Sequence, residues 1–227
     1  MKMKRLFALS ALAVLGVVSY LVLAANVPCH LLNTQTCNGT PGNDVITYIS
    51  GFQTTATTIN GQAGNDRILI DFRLTATLTI NGDEGNDTIL DSDSGNTLRG
   101  GDGNDRIFGN GGADKIDGGP GNDLIDGGPG TDTGITDAWV SGGGGNDTFI
   151  LRRGHAGGGT ENIRCTTNRM DRGVIRLVGF SRQDLLLQGL QPGLLPSNTV
   201  FEIRDGTTGK FNIDTGQGRC MLAVSAP

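Results

Sequence analysis

Eight aspartates, Asp44, Asp66, Asp87, Asp105, Asp114, Asp123, Asp132 and Asp147, each fill the sixth place of a nine-residue, glycine-rich unit. A carboxylate repeated in a fixed turn context is a hard oxygen donor, and its natural counter-charge is a cation. Six such units run without a gap: 82–90 (GDEGNDTIL), 91–99 (DSDSGNTLR), 100–108 (GGDGNDRIF), 109–117 (GNGGADKID), 118–126 (GGPGNDLID) and 127–135 (GGPGTDTGI). Three more stand apart at 39–47 (GTPGNDVIT), 61–69 (GQAGNDRIL) and 142–150 (GGGGNDTFI). Other chemistry is thinly provided. The only histidines are His30 and His155, so no H-E-x-x-H zinc site is possible, and no G-x-S-x-G elbow occurs. His155, between Gly154 and Ala156, reads as a loop residue, and the chain reads as a non-enzyme.

The elements that must hold these carboxylates follow from the same period. A repeat of nine residues is a solenoid signal, not a helical one. Glycine at position four and at several earlier positions permits tight turns, and each unit closes on a two-residue alternation. The apolar residue at position eight (Ile68, Ile89, Ile107, Ile116, Ile125) is expected to point inward. One unit cannot bury it, whereas stacked units can, two units making a coil of 18 residues. Units starting at 82, 100 and 118 then stack on one side, and those at 91, 109 and 127 on the other. The units at 39 and 61 belong to longer coils with degenerate second halves, and Thr75–Asn81 alternates like a strand feeding into a glycine turn. One side is therefore expected to carry Asp44, Asp66, Asp87, Asp105, Asp123 and Asp147. The other carries Asp114 and Asp132, with Asn96 in the slot before them.

Stacked coils would bring successive carboxylates roughly 4.8 Å apart, the spacing of neighbouring strands. Two bare charges at that distance repel by about 3 kcal/mol at an effective dielectric of about 20. A ladder of them calls for a cation between rungs. Ca²⁺ suits it, taking six to eight oxygens in flexible geometry, whereas Mg²⁺ demands a rigid octahedron.

Units such as GGDGNDRIF and GGPGNDLID resemble the GGxGxDxUx nonapeptides of the RTX (repeats-in-toxin) family. That resemblance covers about 39–150 and implies an all-β fold, a parallel β-roll with several Ca²⁺ ions between successive coils. It implies as ligands the position-six Asp carboxylates together with backbone carbonyls of the glycine turns, such as Gly100, Gly101, Gly103, Gly118, Gly119 and Gly121. Unit 91–99 departs from the pattern, with Asp91 and Ser92 in place of the glycine pair and Asn96 in place of the acid. Unit 127–135 has Gly134 where the inward apolar residue belongs.

Charge and targeting signals agree with export. Residues 39–150 carry 17 acidic and 5 basic groups, whereas 151–227 carry 6 acidic and 10 basic, so the repeat block attracts cations and not nucleic acid. Residues 1–25 read as a signal peptide: Lys2, Lys4 and Arg5 precede an apolar run from Leu6 to Ala25. An uncleaved anchor is the alternative, which would leave the protein at the cell surface; after cleavage no membrane span is expected. Residues 26–38 form an N-terminal segment with Cys29 and Cys37. Four cysteines allow three pairings, of which Cys29–Cys37 with Cys165–Cys220 is the most economical.

Residues 151–227 read as a small β-rich cap, with strands expected at Gly173–Phe180, Asp184–Gln188, Thr199–Arg204, Lys210–Ile213 and Arg219–Val224. Leu177, Gly179, Phe180, Asp184 and Leu185 resemble the segment that commonly follows RTX arrays. Capping covers the last coil of a solenoid, which otherwise invites edge pairing. The function expected is that of a secreted, calcium-folded structural or surface component. The alternative is a calcium-stabilised scaffold whose cap binds a glycan or protein ligand, with Trp139 as the one aromatic anchor in the 136–141 insertion.

Overall fold

A computed structural model describes residues 26–28, 35–48, 57–133, 140–156, 160–205 and 209–225. In chain order the strands are β1 (Asn26–Pro28), β2 (Thr36–Asn38), β3 (Val45–Tyr48), β4 (Thr58–Ala63), β5 (Arg67–Ile70), β6 (Thr79–Glu84) and β7 (Thr88–Leu90). They continue as β8 (Thr97–Asp102), β9 (Arg106–Phe108), β10 (Lys115–Asp117), β11 (Leu124–Asp126), β12 (Val140–Ser141) and β13 (Thr148–Arg152). After β14 (Thr160–Arg164) and β15 (Arg172–Val178) come the short helix α1 (Arg182–Leu186), β16 (Gly193–Leu195), β17 (Val200–Asp205), β18 (Gly209–Asp214) and β19 (Arg219–Val224).

The strands alternate between two sheets, ordered β1-β3-β5-β7-β9-β11-β13-β15-β19-β16 and β17-β18-β14-β12-β10-β8-β6-β4-β2. Each coil contributes one strand to each sheet. Because successive coils wind the same way, strands of neighbouring coils meet parallel and in register through the repeat block, as Ile68, Ile89 and Ile107 do. The fold is an all-β parallel roll.

The core follows from the two-residue alternation. Ile46, Ile68, Ile89, Ile107 and Ile125 form one inward file, and Ile59, Ile80, Leu98 and Ile116 form the facing one, each at most 2% exposed. Every apolar position-eight residue expected to point inward does so. Burying such a side chain contributes roughly 1.5–3 kcal/mol relative to leaving it exposed, an amount available only once a neighbouring coil covers it. The strand expected to feed the turn at Gly82 is β6.

Beyond residue 150 both ladders run on. β13 pairs with β15 and β15 with β19, while β14 pairs with β18, all parallel. The expected strands at 173–180, 199–204, 210–213 and 219–224 correspond to β15, β17, β18 and β19. Only the outermost strands reverse: β16 lies antiparallel on β19, and β17 on β18.

One element differs in type. Residues 184–188, expected as a strand, belong to α1 and the turn after it. Its signal is a capping box: the Asp184 N–H donates to Ser181 Oγ at 3.1 Å, and the Ser181 N–H donates to Asp184 Oδ2 at 2.7 Å. Gly189, at φ +75°, then ends the turn.

The expected Cys165–Cys220 disulfide is present, with Cα atoms 5.9 Å apart, and joins the two sheets at the final coil. Cys37 is also disulfide-bonded, to a partner outside the described residues. Residues 1–25, Cys29, Gly134 and Trp139 lie outside them too. Among the described residues no helix is long and apolar enough to cross a membrane.

Candidate metal centre

The six aspartates expected on one side form a single row. The backbone N–H of Asp44 donates to Asp66 Oδ1 at 2.7 Å, and that of Asp66 to Asp87 Oδ1 at 2.7 Å. The row continues through Asp87 to Asp105 and Asp105 to Asp123, both at 2.8 Å, and ends with Asp123 to Asp147 at 3.0 Å. A second row occupies the opposite turns. There the Leu78 N–H donates to Asn96 Oδ1 at 2.6 Å, Asn96 to Asp114 Oδ1 at 2.8 Å, and Asp114 to Asp132 Oδ1 at 2.9 Å. All eight aspartates are at most 2% exposed.

In six of these aspartates Oδ1 thus accepts from the rung before, and the other carboxylate oxygen is left over. Oδ2 of Asp66, Asp87, Asp105, Asp114, Asp123 and Asp132 is buried without a hydrogen-bond partner. Each of these oxygens occupies the space beside the position-one glycine of its own unit. A Cβ on Gly100 would collide with Asp105 Oδ2 and with the Gly118 carbonyl oxygen. One on Gly118 would collide with Asp123 Oδ2, and would meet the Gly142 carbonyl oxygen at 2.6 Å. Glycine at position one therefore lets a carboxylate and a backbone carbonyl of the next coil approach the same point. Gly101, Gly103, Gly119 and Gly121 all sit at φ between +102° and +148°, the backbone shape that closes the turn around that point. The Gly118 carbonyl also accepts from the Gly101 N–H at 2.9 Å, tying the two coils together.

Burial pushes these carboxyls up. It is the largest effect on each, only partly offset by the backbone N–H that each accepts, and neighbouring carboxylates raise them further. Asp114 is pushed up to about 9, Asp123 to about 8, Asp87 to about 7, and Asp105, Asp132 and Asp147 to about 6. Asp66 is raised as well. A buried, partnerless carboxylate oxygen must be either protonated or met by a positive charge. The donors that converge are all oxygens, carboxylate and carbonyl. Among the described residues, no three His, Cys, Asp or Glu side chains group together. Such a set matches a hard cation and excludes a thiolate or imidazole site.

The ends of the first row are closed by other means. Asp44 accepts from both the backbone N–H and the hydroxyl of Thr40. Beyond Asp147 the register position falls to Gly173, but Asp171 reaches back to accept the Gly145 N–H at 3.3 Å. The second row ends under Asp205, which accepts from Gly154 N–H at 2.6 Å and Ala156 N–H at 3.0 Å. The carbonyl of His155 accepts from Gly130 N–H, so this residue extends the turn row through its backbone.

Sequence reasoning missed the asparagine ladder at position five. The backbone N–H of Asn65 donates to Asn43 Oδ1, Asn86 to Asn65, Asn104 to Asn86, Asn122 to Asn104, and Asn146 to Asn122, at 2.6–2.8 Å. The signal was the asparagine that precedes Asp in every unit of the first row. It binds each coil to the previous one while the aspartate binds it to the next.

No curated protein matches this chain. The family model of the RTX calcium-binding nonapeptide repeat matches residues 56–69, 79–107, 90–125, 99–134 and 139–155, which span the described rungs from Asp66 to Asp147. Residues 56–69, 79–134 and 139–155 of this chain thus carry the RTX calcium-binding nonapeptide repeat.

Proposed function

We propose that this is an exported structural protein whose roll folds around Ca²⁺ held between stacked coils. The observation that carries the reading is the set of six buried Oδ2 atoms without partners. In the first row the ions would be held by Asp44, Asp66, Asp87, Asp105, Asp123 and Asp147, and in the second by Asp114 and Asp132. Carbonyls of the position-one to position-four glycines, including Gly100, Gly101, Gly103, Gly118, Gly119 and Gly121, would complete the shells. A bound divalent charge supplies the counter-charge that the desolvated carboxylates lack. Each site held tenfold above its Kd adds roughly 1.4 kcal/mol. Five sites in the first row would then contribute on the order of 7 kcal/mol, comparable with a domain's net stability.

Export is supported by the basic and apolar run before residue 26 and by the disulfides, which persist in oxidising compartments. A calcium-poor interior and a calcium-rich exterior would then order the chain only after it leaves. The reading assigns no catalytic step. Far-UV circular dichroism of the purified chain during Ca²⁺ titration, with Mg²⁺ as control, is the test. A cooperative gain of β signal with Ca²⁺ alone is expected, and a spectrum indifferent to calcium would overturn it.

A ligand-presenting role for the C-terminal end is the second reading, favoured by Leu187, Val200 and Leu194, which are 77%, 59% and 57% exposed. Binding of the chain to a glycan or protein array, lost when Leu187 and Val200 are both changed to Ser, would establish it.

A further inference from the structure

Unit 91–99 sits in the second row in full register, yet its wiring differs from every neighbour. Asn96 Oδ1 accepts from the Leu78 N–H at 2.6 Å, the same bond that Asp114 Oδ1 makes with the Asn96 N–H at 2.8 Å. Its other atom is not left over. Asn96 Nδ2 donates to both carboxylate oxygens of Asp91 at 2.9 Å and to Ser92 Oγ at 3.1 Å. Asp91 stands where units 100–108, 109–117, 118–126 and 127–135 have the position-one glycine. In those units the space beside the glycine holds a partnerless carboxylate oxygen. Here it holds an amide that donates, so a side chain at position one is welcome. Asp91, Ser92 and Asn96 are each at most 2% exposed, and all three are satisfied within the unit.

We propose that unit 91–99 is a calcium-independent rung, in which positions one and six have exchanged chemistry and the Asn96 amide stands where a neighbouring unit requires a cation. Either change alone is costly. An aspartate at 96 beside Asp91 would set two buried carboxylates together, and glycine at 91 would leave the Asn96 amide with Ser92 Oγ alone as acceptor. Together they make a rung wired by protein atoms. It is tied to the coil before through Ser94 Oγ, which donates to the Leu74 carbonyl at 2.6 Å. It is tied to the coil after through Asn110 Nδ2, which donates to the Asp91 carbonyl at 2.5 Å. One coil further toward the N-terminus the carboxylate slot is filled by buried Leu78. The second row thus passes from apolar to amide to acid, and its calcium ladder begins only at Asp114. The inference rests on the calcium reading above and adds that this face is held at its N-terminal half without metal.

The test counts calcium ions per chain after equilibrium dialysis, with circular dichroism to establish that each variant folds. Asp91→Gly combined with Asn96→Asp restores positions one and six of the repeat pattern and is expected to bind one ion more than the wild type. Asp91→Asn, close in shape but uncharged, is expected to bind the same number as the wild type. If the double variant does not fold, the Asp91→Asn count decides alone. Loss of an ion in Asp91→Asn, or no gain in a folded double variant, overturns the inference while leaving the calcium reading intact. A wild-type chain that binds no calcium overturns both.

Discussion

Position six and position one of each repeat act as a pair. The aspartate needs the space that only a glycine leaves open, and the glycine has no reason to be there without the aspartate. Gly100→Ala places a Cβ against Asp105 Oδ2 and the Gly118 carbonyl. Overpacking of this kind typically costs 1–3 kcal/mol. The variant is therefore expected to unfold at a lower temperature in saturating Ca²⁺ and to require more Ca²⁺ at its folding midpoint. Asp105→Ala and Asp123→Ala remove a carboxylate from the continuous row and are expected to raise that midpoint more than Asn96→Ala does, because the Asn96 amide is spent on Asp91. Equal shifts from all three, read from calcium titrations followed by circular dichroism, would count against the assignment of the two rows. These residues were legible in the sequence because their spacing is strict: a coil of 18 residues leaves each carboxylate only one row to join. The exchange between Asp91 and Asn96 was visible only as a departure from the pattern, since a sequence shows which side chain is missing but not which donor has taken its place.

Among the elements, the roll was easier to read than its C-terminal end, and the reason is what closes each turn. Up to residue 150 glycine and aspartate punctuate the turns, so period and register are visible together. In β14, β15, β18 and β19 the ladder is carried by strand pairing without the glycine–aspartate punctuation, and the turn ends are closed by Asp171 and Asp205, lone carboxylates from distant parts of the chain. No local period announces such contacts. The misread segment at 184–188 shows the same limit on a smaller scale. Five residues rich in leucine suit a strand as well as a helix, and the Ser181–Asp184 capping box decides between them. Asp205 holds two buried or half-buried N–H groups, so Asp205→Ala is expected to cost about 3 kcal/mol in thermal or denaturant unfolding, while Asp205→Asn, which keeps one acceptor, costs less. The Cys165–Cys220 bond closes a separation of 55 residues across both sheets. By chain-entropy reasoning it contributes about 4 kcal/mol. Replacing both cysteines with alanine is expected to lower the melting temperature without changing the number of calcium ions bound, because no rung of either row includes them.

For the whole molecule, a file of buried carboxylates makes stability depend on pH and calcium together. The carboxyls of Asp87, Asp114 and Asp123 are pushed up to about 7, 9 and 8, and those of Asp105, Asp132 and Asp147 to about 6, burial being the main cause. In the unfolded chain the same groups titrate near 3.9. Between the two values the folded roll binds more protons than the unfolded chain, so without calcium stability falls as pH rises. The contribution is fully present below about pH 4 and is lost progressively as pH rises from there through the folded values of about 6 to 9. Calcium held as proposed would reverse the direction, because it would occupy the same oxygens only once the protons have left, and its stabilisation would therefore grow over that range. Asp171 does not blur the contrast: burial raises it, but hydrogen bonds from Asn168, Thr167 and Gly145 outweigh burial and hold it below the usual carboxylate range, so its contribution is lost only at lower pH. Melting temperatures measured from pH 4 to pH 9 are expected to decline with pH in a chelator and to rise with pH in millimolar Ca²⁺, the two curves diverging most above pH 8. Parallel curves would mean that the ion does not meet these carboxylates. A decline under both conditions with a constant offset would place calcium elsewhere on the molecule.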